Sequence, residues 1–242
     1  MQSLTRQRVA IAAGVRTFVR EPTNVALLLV LPPLVVFAFD LAIEPIGELP
    51  QIDVPPGGAP LGGALFATAF LAGLLGIFQV VGAAEADRRL VVSGYRPVEV
   101  LLARLLTIVL AGTFVAVLTF VTFWLRIDTT PEAPGLAIGA LVLAALIYGL
   151  LGVIIGAVVG RELEASLVLV FLADFDSFAA IGVIPMEGDW LSYLPLARPS
   201  TVLEEAVHAG TLATGDVVGS LLTIAILAAL ALLVVALRGG SR

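Results

Sequence analysis

Apolar residues come in six long runs separated by more polar segments, at positions 24–43, 60–84, 97–125, 135–160, 165–184 and 216–237. A hydrocarbon core of about 30 Å needs roughly 20 residues of helix rising about 1.5 Å each, so every run is long enough to span a bilayer. Ahead of the first run, Leu4, Ile11, Val15 and Phe18 fall within about 60° of one another on a helical wheel, with Arg6, Arg16 and Arg20 opposite. Residues 4–20 therefore predict an interfacial amphipathic helix lying on the membrane surface. A cleaved signal peptide would also begin with Arg, but this charged region is too long and lacks a clear small-x-small cleavage site. Glu21-Pro22 breaks that helix, because the residue before a proline is pushed out of the α region. Pro32-Pro33 predicts a kink in the first span, tolerable where neighbouring helices satisfy the freed carbonyls.

The longest charged interruption between two strongly apolar runs is 83–104, AAEADRRLVVSGYRPVEVLLAR. It breaks at Ser93-Gly94 and restarts as a helix at Pro97, a residue suited to the first helical position, with Glu99 in the first turn. With six spans both termini share one side of the membrane, and arginine decides which. If the termini are cytoplasmic, Arg6, Arg8, Arg16, Arg20, Arg88, Arg89, Arg96, Arg104, Arg161, Arg238 and Arg242 lie inside, and only Arg126 and Arg198 lie outside. The other side then collects acids: Glu44, Glu48, Asp53, Asp128, Glu132, Glu187, Asp189, Glu204, Glu205 and Asp216. The expected fold is thus an all-α integral membrane protein, one transmembrane domain over 1–242, with both termini cytoplasmic.

Composition strengthens this reading. Of the 242 residues 60% are hydrophobic and 13% charged, and the mean hydropathy is +1.09, well outside the soluble range. All 13 basic residues are Arg, which excludes a retinal Schiff base and a phosphate-loop lysine, and with them a rhodopsin and a self-contained P-loop ATPase. The absence of Cys removes disulfides, thiolate nucleophiles and iron–sulfur ligation. One His, at 208 in a polar segment, leaves no ligand set for haem or for a histidine-rich zinc site. No catalytic residue, metal site or nucleic-acid partner is expected. The acidic balance, with a pI near 4.8, points to a salt-adapted, halophile-like proteome.

Several side chains inside or beside the runs are candidates for function. Asp174 and Asp176 lie about ten residues into the fifth run, near mid-depth of a straight helix, and an intramembrane carboxylate is a functional candidate by default. On a regular helix they point about 200° apart, so at most one lines a path. The competing reading is an early break toward Pro185 that leaves both in a hydrated outer mouth. In the fourth run Gly152, Gly156 and Gly160 have the small-xxx-small spacing of close helix packing, either within the chain or between two copies. Glu162, in the short turn after that run, offers a second cytoplasmic contact. The segment 185–215 is a long, Pro-punctuated outer stretch, with Trp190 and Tyr193 suited to an interface. Thr201 and Glu204 predict a capping box opening a short helix, which Gly210 ends, with His208 solvated on it.

This order resembles the type-2 ABC exporter permeases, the membrane subunits of ATP-binding-cassette transporters. Arg20-Glu21-Pro22 and the run into Pro32 resemble the junction between the family's elbow helix and first span. Glu85-Ala86-Asp87-Arg88-Arg89-Leu90, Ser93-Gly94-Tyr95-Arg96-Pro97 and the stretch from Glu99 to Arg104 resemble its coupling segment. Pro185, Trp190-Leu191 and Pro199 resemble the outer segment before the last span. Asp174 and Asp176 depart from the pattern, which has apolar or small residues there.

The resemblance implies a homodimer or heterodimer of permeases in the plasma membrane. It also implies a separate ATPase subunit that binds ATP and Mg and meets the coupling segment 85–96. The ATPase-coupling candidates are Glu85, Asp87, Arg88, Arg89, Gly94, Arg96 and Glu162, although positive-inside topology alone also accounts for the arginines. Two other classes stay open: a secondary transporter or channel using Asp174 without an ATPase, and a non-transporting membrane scaffold.

Overall fold

The computed structural model describes residues 22–47, 57–82, 97–127, 130–184 and 189–240. The expected interfacial helix, residues 4–20, and the expected coupling segment 85–96, with Glu85, Asp87, Arg88, Arg89, Gly94 and Arg96, lie outside the described residues. Among the described residues the regular structure is all helical: α1 (Pro22–Gly47), α2 (Gly58–Val80), α3 (Pro97–Trp124), α4 (Pro134–Val159), α5 (Glu162–Ala180), a 3-10 turn (Asp189–Tyr193), α6 (Ala197–His208) and α7 (Thr214–Gly240). Six of these helices occupy the six apolar runs. Four are long and apolar enough to cross a membrane: α2, the Arg104–Trp124 part of α3, α4, and the Thr214–Val235 part of α7. In α1 the apolar part fully described is Leu29–Ile43, within the apolar run 24–43. α5 carries Glu162, Glu164, Asp174 and Asp176 within its 19 residues. α1 runs through Pro32 and Pro33 as one helix.

α2 is the central element. Its membrane-length window is 83% buried, against 11% for α7, and it packs on α1, α3, α4 and α5. A helix enclosed on every side needs apolar residues all round its circumference. The run GGALFATAFLAGLLG supplies them, and most are small, so four neighbours can come close.

The tightest approach is between α2 and α4, and it explains the glycine spacing in the fourth run. A Cβ on Gly152 would fall on the carbonyl oxygen of Gly73, one on Gly76 would fall on the carbonyl oxygen of Gly149, and one on Gly156 would come within 3.1 Å of the Ile77 Cα. These obstacles are backbone, which cannot rotate away. The glycines at 149, 152 and 156 are therefore occupied within one chain, and the intramolecular alternative accounts for them. Gly160 has a different task, since its φ of 74° ends α4 in the left-handed region.

The end of the bundle carrying the C-terminus of α1, the C-terminus of α3 and the N-terminus of α4 is held by aromatic and ionic contacts. Phe39 of α1 stacks between Phe66 of α2 and Phe178 of α5, with ring centroids 5.1 and 5.4 Å away. Arg126, just past α3, donates from Nη2 to Asp40 Oδ2 on α1, and its guanidinium lies 4.6 Å from the Phe37 ring centroid. A planar cation over a ring and against a carboxylate retains both partners in a mostly apolar setting. At the opposite end, Arg104 of α3 donates from Nη1 to the main-chain oxygen of Gln79 and to Gln79 Oε1, the latter at 2.9 Å. An arginine there complements the free carbonyls and negative dipole of the α2 C-terminus.

Gly152→Ala should be destabilising by at least about 1–3 kcal/mol, because the added methyl overpacks against immovable backbone. Gly139→Ala on the same helix meets nothing within 4 Å and should leave stability equal or slightly raised. Thermal denaturation of both variants in detergent checks the contrast.

Candidate functional site

α5 stops earlier than the apolar run suggests. Gly182 adopts φ 76°, its N–H donates to Ala179 O at 3.2 Å, and the N–H of Val183 donates to Phe178 O at 3.0 Å. This pair of bonds is a Schellman ending, which satisfies carbonyls that a helix end otherwise leaves open. The break places Asp176 in the last turns of α5, with its side chain fully removed from solvent.

One oxygen of Asp176 gathers the site. Oδ2 accepts from Tyr148 Oη at 2.6 Å and from the backbone N–H of Leu196 at 3.0 Å. Leu196 is the N-cap residue of α6, and α6 has no side-chain cap of its own. The carboxylate thus caps α6 from another helix, where the positive end of the α6 dipole favours it. Tyr148 orients the carboxylate from α4. Oδ1 of Asp176 and the neighbouring Ser177 Oγ are buried without a hydrogen-bond partner, so the cap is asymmetric.

This arrangement corrects the capping-box reading. α6 begins at Ala197, and Thr201 sits inside it with Oγ1 donating to Ala197 O at 3.0 Å. The physical reason is Pro199: as the third helical residue it has no N–H, so an N-terminus placed here leaves fewer donors to satisfy, and Asp176 serves the one at Leu196.

The same bonds fix how α6 lies. Its N-terminus meets Asp176 beside Tyr148, and at its other end the N–H groups of Glu132 and Ala133 donate to Val207 O at 3.1 Å and Ala206 O at 2.9 Å. Ala133 and Tyr148 are separated by about 22 Å along α4. α6 therefore runs antiparallel to the first half of α4, embedded against it through Val202, Leu203, Ala206 and Val207. It continues the direction of α5 above the break, so the short helix in the segment 185–215 is packed into the body of the bundle. His208, at the far end of α6, is exposed.

The two aspartates part company. Asp176 is committed to Tyr148 and Leu196, whereas Asp174 is only partly buried. On the opposite side of the molecule, Glu162 opens α5 and is exposed, and its Oε1 would be 2.8 Å from a Cβ on Gly82. Glu162 thus stands beside the point where the chain leaves toward residues 83–96, while Arg104 and Gln79 join the two helices that flank them. Gln79, Asp40 and Tyr148 were not singled out in the sequence. Gln79 and Asp40 carry a signal in hindsight, as polar residues inside otherwise apolar stretches of α2 and α1. Tyr148 carries little, because an aromatic in an apolar helix is ordinarily core.

Asp176→Ala leaves the buried N–H of Leu196 unpaired and Tyr148 Oη with only the long contact to Leu172 O at 3.4 Å, and should cost at least about 2 kcal/mol, while Tyr148→Phe should cost about 0.5–1.5 kcal/mol. Asp176→Asn, which retains an acceptor oxygen, should fall between wild type and Asp176→Ala. Thermal unfolding in detergent, together with proteolysis between α5 and α6, checks this order.

A known family now accounts for the architecture. No curated protein matches the sequence closely enough to serve as a relative. The family model described as ABC-2 family transporter protein matches residues 59–237, roughly three quarters of the chain, from the start of α2 into the last turns of α7. The chain belongs to the ABC-2 family of transporter membrane proteins.

Proposed function

We propose that this chain is the permease subunit of an ABC exporter, forming the translocation path and coupling through 85–104 to a separate ATPase subunit. Family membership makes it a non-catalytic membrane component of an ABC transporter. In this reading all six long helices span the plasma membrane with both termini cytoplasmic, as the arginine distribution favours. The subunit works as a homodimer or heterodimer, and the ATPase binds ATP and Mg.

The observation that carries the coupling role is the clamp at the base of α2 and α3. Arg104 bonds Gln79 across the two helices that bracket the coupling segment. Glu162, at the start of α5, stands against Gly82, where that segment departs. A push delivered at 85–96 therefore reaches α2, the helix on which α1, α3, α4 and α5 all pack. In this reading Arg88, Arg89 and Arg96 meet carboxylates of the ATPase, and Glu85, Asp87 and Gly94 belong to the same contact.

Of the two carboxylates, we assign Asp174 to the path and Asp176 to holding α6. Partial burial leaves Asp174 available to a passing ligand, whereas Asp176 has no exposed surface.

Co-purification in mild detergent should recover an ATPase with the wild-type chain, and Arg89→Glu or Gly94→Pro should lower its association or its stimulated ATP hydrolysis severalfold with membrane insertion intact. Unaltered coupling in both variants would remove the segment from this role. Asp174→Asn should change transport or stimulated hydrolysis with little change in thermal stability, the reverse of Asp176→Asn. Transport that persists without ATP and loses its pH dependence in Asp174→Asn would point instead to a carboxylate-driven secondary transporter.

A further inference from the structure

A cleft of about 210 Å³ opens between the segment preceding α6, the first turn of α6 and the upper part of α7. Its polar lining is Ser192, Tyr193, Arg198, Ser220 and Thr223, and its apolar lining includes Leu222 and Ile226. Three features mark it as built to take an anion. The guanidinium of Arg198 lies flat on Gly219: a Cβ there would fall on the guanidinium itself and within 2.7 Å of Arg198 Cδ, so a glycine is what admits the arginine. Ser220 is fully buried, lines the cleft and has no hydrogen-bond partner for its hydroxyl. Finally, the carboxylate facing Arg198 is loosely held, with Asp216 Oδ1 3.9 Å from Nη1, beyond hydrogen-bond distance. Thr223 Oγ1 donates to Gly219 O at 3.0 Å and so retains acceptor capacity only. The Arg198 guanidinium and the Ser220 hydroxyl are thus donors placed in the cleft for a ligand.

The cleft also has a head and a tail. α7 has 27 residues, about 40 Å, and exceeds a hydrocarbon core of about 30 Å by some 5 Å at each end if centred. Gly219 lies about 8 Å from its start, close to the boundary between headgroups and acyl chains, and Ile226 lies about 10 Å deeper. Leu222 and Ile226 are both about 60% exposed, on a helix face that nothing among the described residues covers. A polar, cationic mouth continuing into an exposed apolar track matches a phosphate carrying a hydrocarbon chain.

We propose that this cleft binds an anionic phospholipid, its phosphate on Arg198 and Ser220 and an acyl chain along Leu222 and Ile226. Asp216 is the group it displaces. The inference does not rest on coupling to an ATPase, so its test needs no ATP and its failure leaves the permease reading standing.

The full-length chain in neutral detergent would be titrated with phosphatidylglycerol, with diacylglycerol, which has the chains without the phosphate, and with glycerol phosphate, which has the phosphate without chains. Binding would be read by thermal shift and by native mass spectrometry. Phosphatidylglycerol should bind, and diacylglycerol and glycerol phosphate should each bind at least tenfold more weakly. Arg198→Gln should weaken phosphatidylglycerol binding about tenfold or more, the value of losing a charge-assisted hydrogen bond. Ser220→Ala and Gly219→Ala should weaken it severalfold, and Asp216→Asn should strengthen it. Equal binding of glycerol phosphate would overturn the lipid assignment, and equal binding of diacylglycerol would overturn the role of the phosphate. If Arg198→Gln does not fold, the decision passes to Ser220→Ala and Asp216→Asn, small changes at the cleft. Unchanged affinity in both would overturn the site.

Discussion

Contact between the backbones of α2 and α4 sets the dimensions of the whole bundle. Where Gly73 and Gly76 meet Gly149 and Gly152, the helices approach closely enough that no side chain fits between them. In a bilayer this is how helices gain stability, because lipid tails are as apolar as Leu and association depends on packing. With α2 drawn in against α4, α1, α3 and α5 close around it. The Phe178–Phe39–Phe66 stack, the Asp40–Arg126 pair and the Gln79–Arg104 clamp then join neighbours already brought within reach.

The second organising contact is of another kind. Asp176 converts a helix break into a junction: the chain leaves α5 through the left-handed Gly182, α6 begins at Ala197 behind its N-cap Leu196, and a single carboxylate oxygen holds the second start beside the first end. Burying a carboxylate is costly unless it is paired. Here the compensation comes from a tyrosine hydroxyl, a backbone N–H and a helix dipole, none of which carries a formal charge.

The fold was legible where a pattern is long and repetitive. Six apolar runs became six helices, and the turn at Gly160 falls where the glycine sits. What was not legible depended on partners distant in sequence. Asp176 reads like Asp174 in a linear chain, and only the position of Tyr148, 28 residues earlier, and of Leu196, 20 residues later, separates them. Thr201 and Glu204 look like a cap because the local rule ignores a carboxylate arriving from another helix. Gly152 and Gly156 announce close packing without naming the partner, since small residues on α2 and on a second copy would read alike. Arg198 counted as an outer charge, and its seat on Gly219 needed α7 in place.

The junction between α5 and α6 also bears on how the protein enters its membrane. At 12 residues α6 is too short to insert as a span, and its own sequence does not cap its N-terminus. Its seat consists of Asp176 from α5, Tyr148 from α4 and the backbone of Glu132 and Ala133, all earlier in the chain. All of these groups are synthesised before α6, so the chain has already supplied the seat when α6 is made.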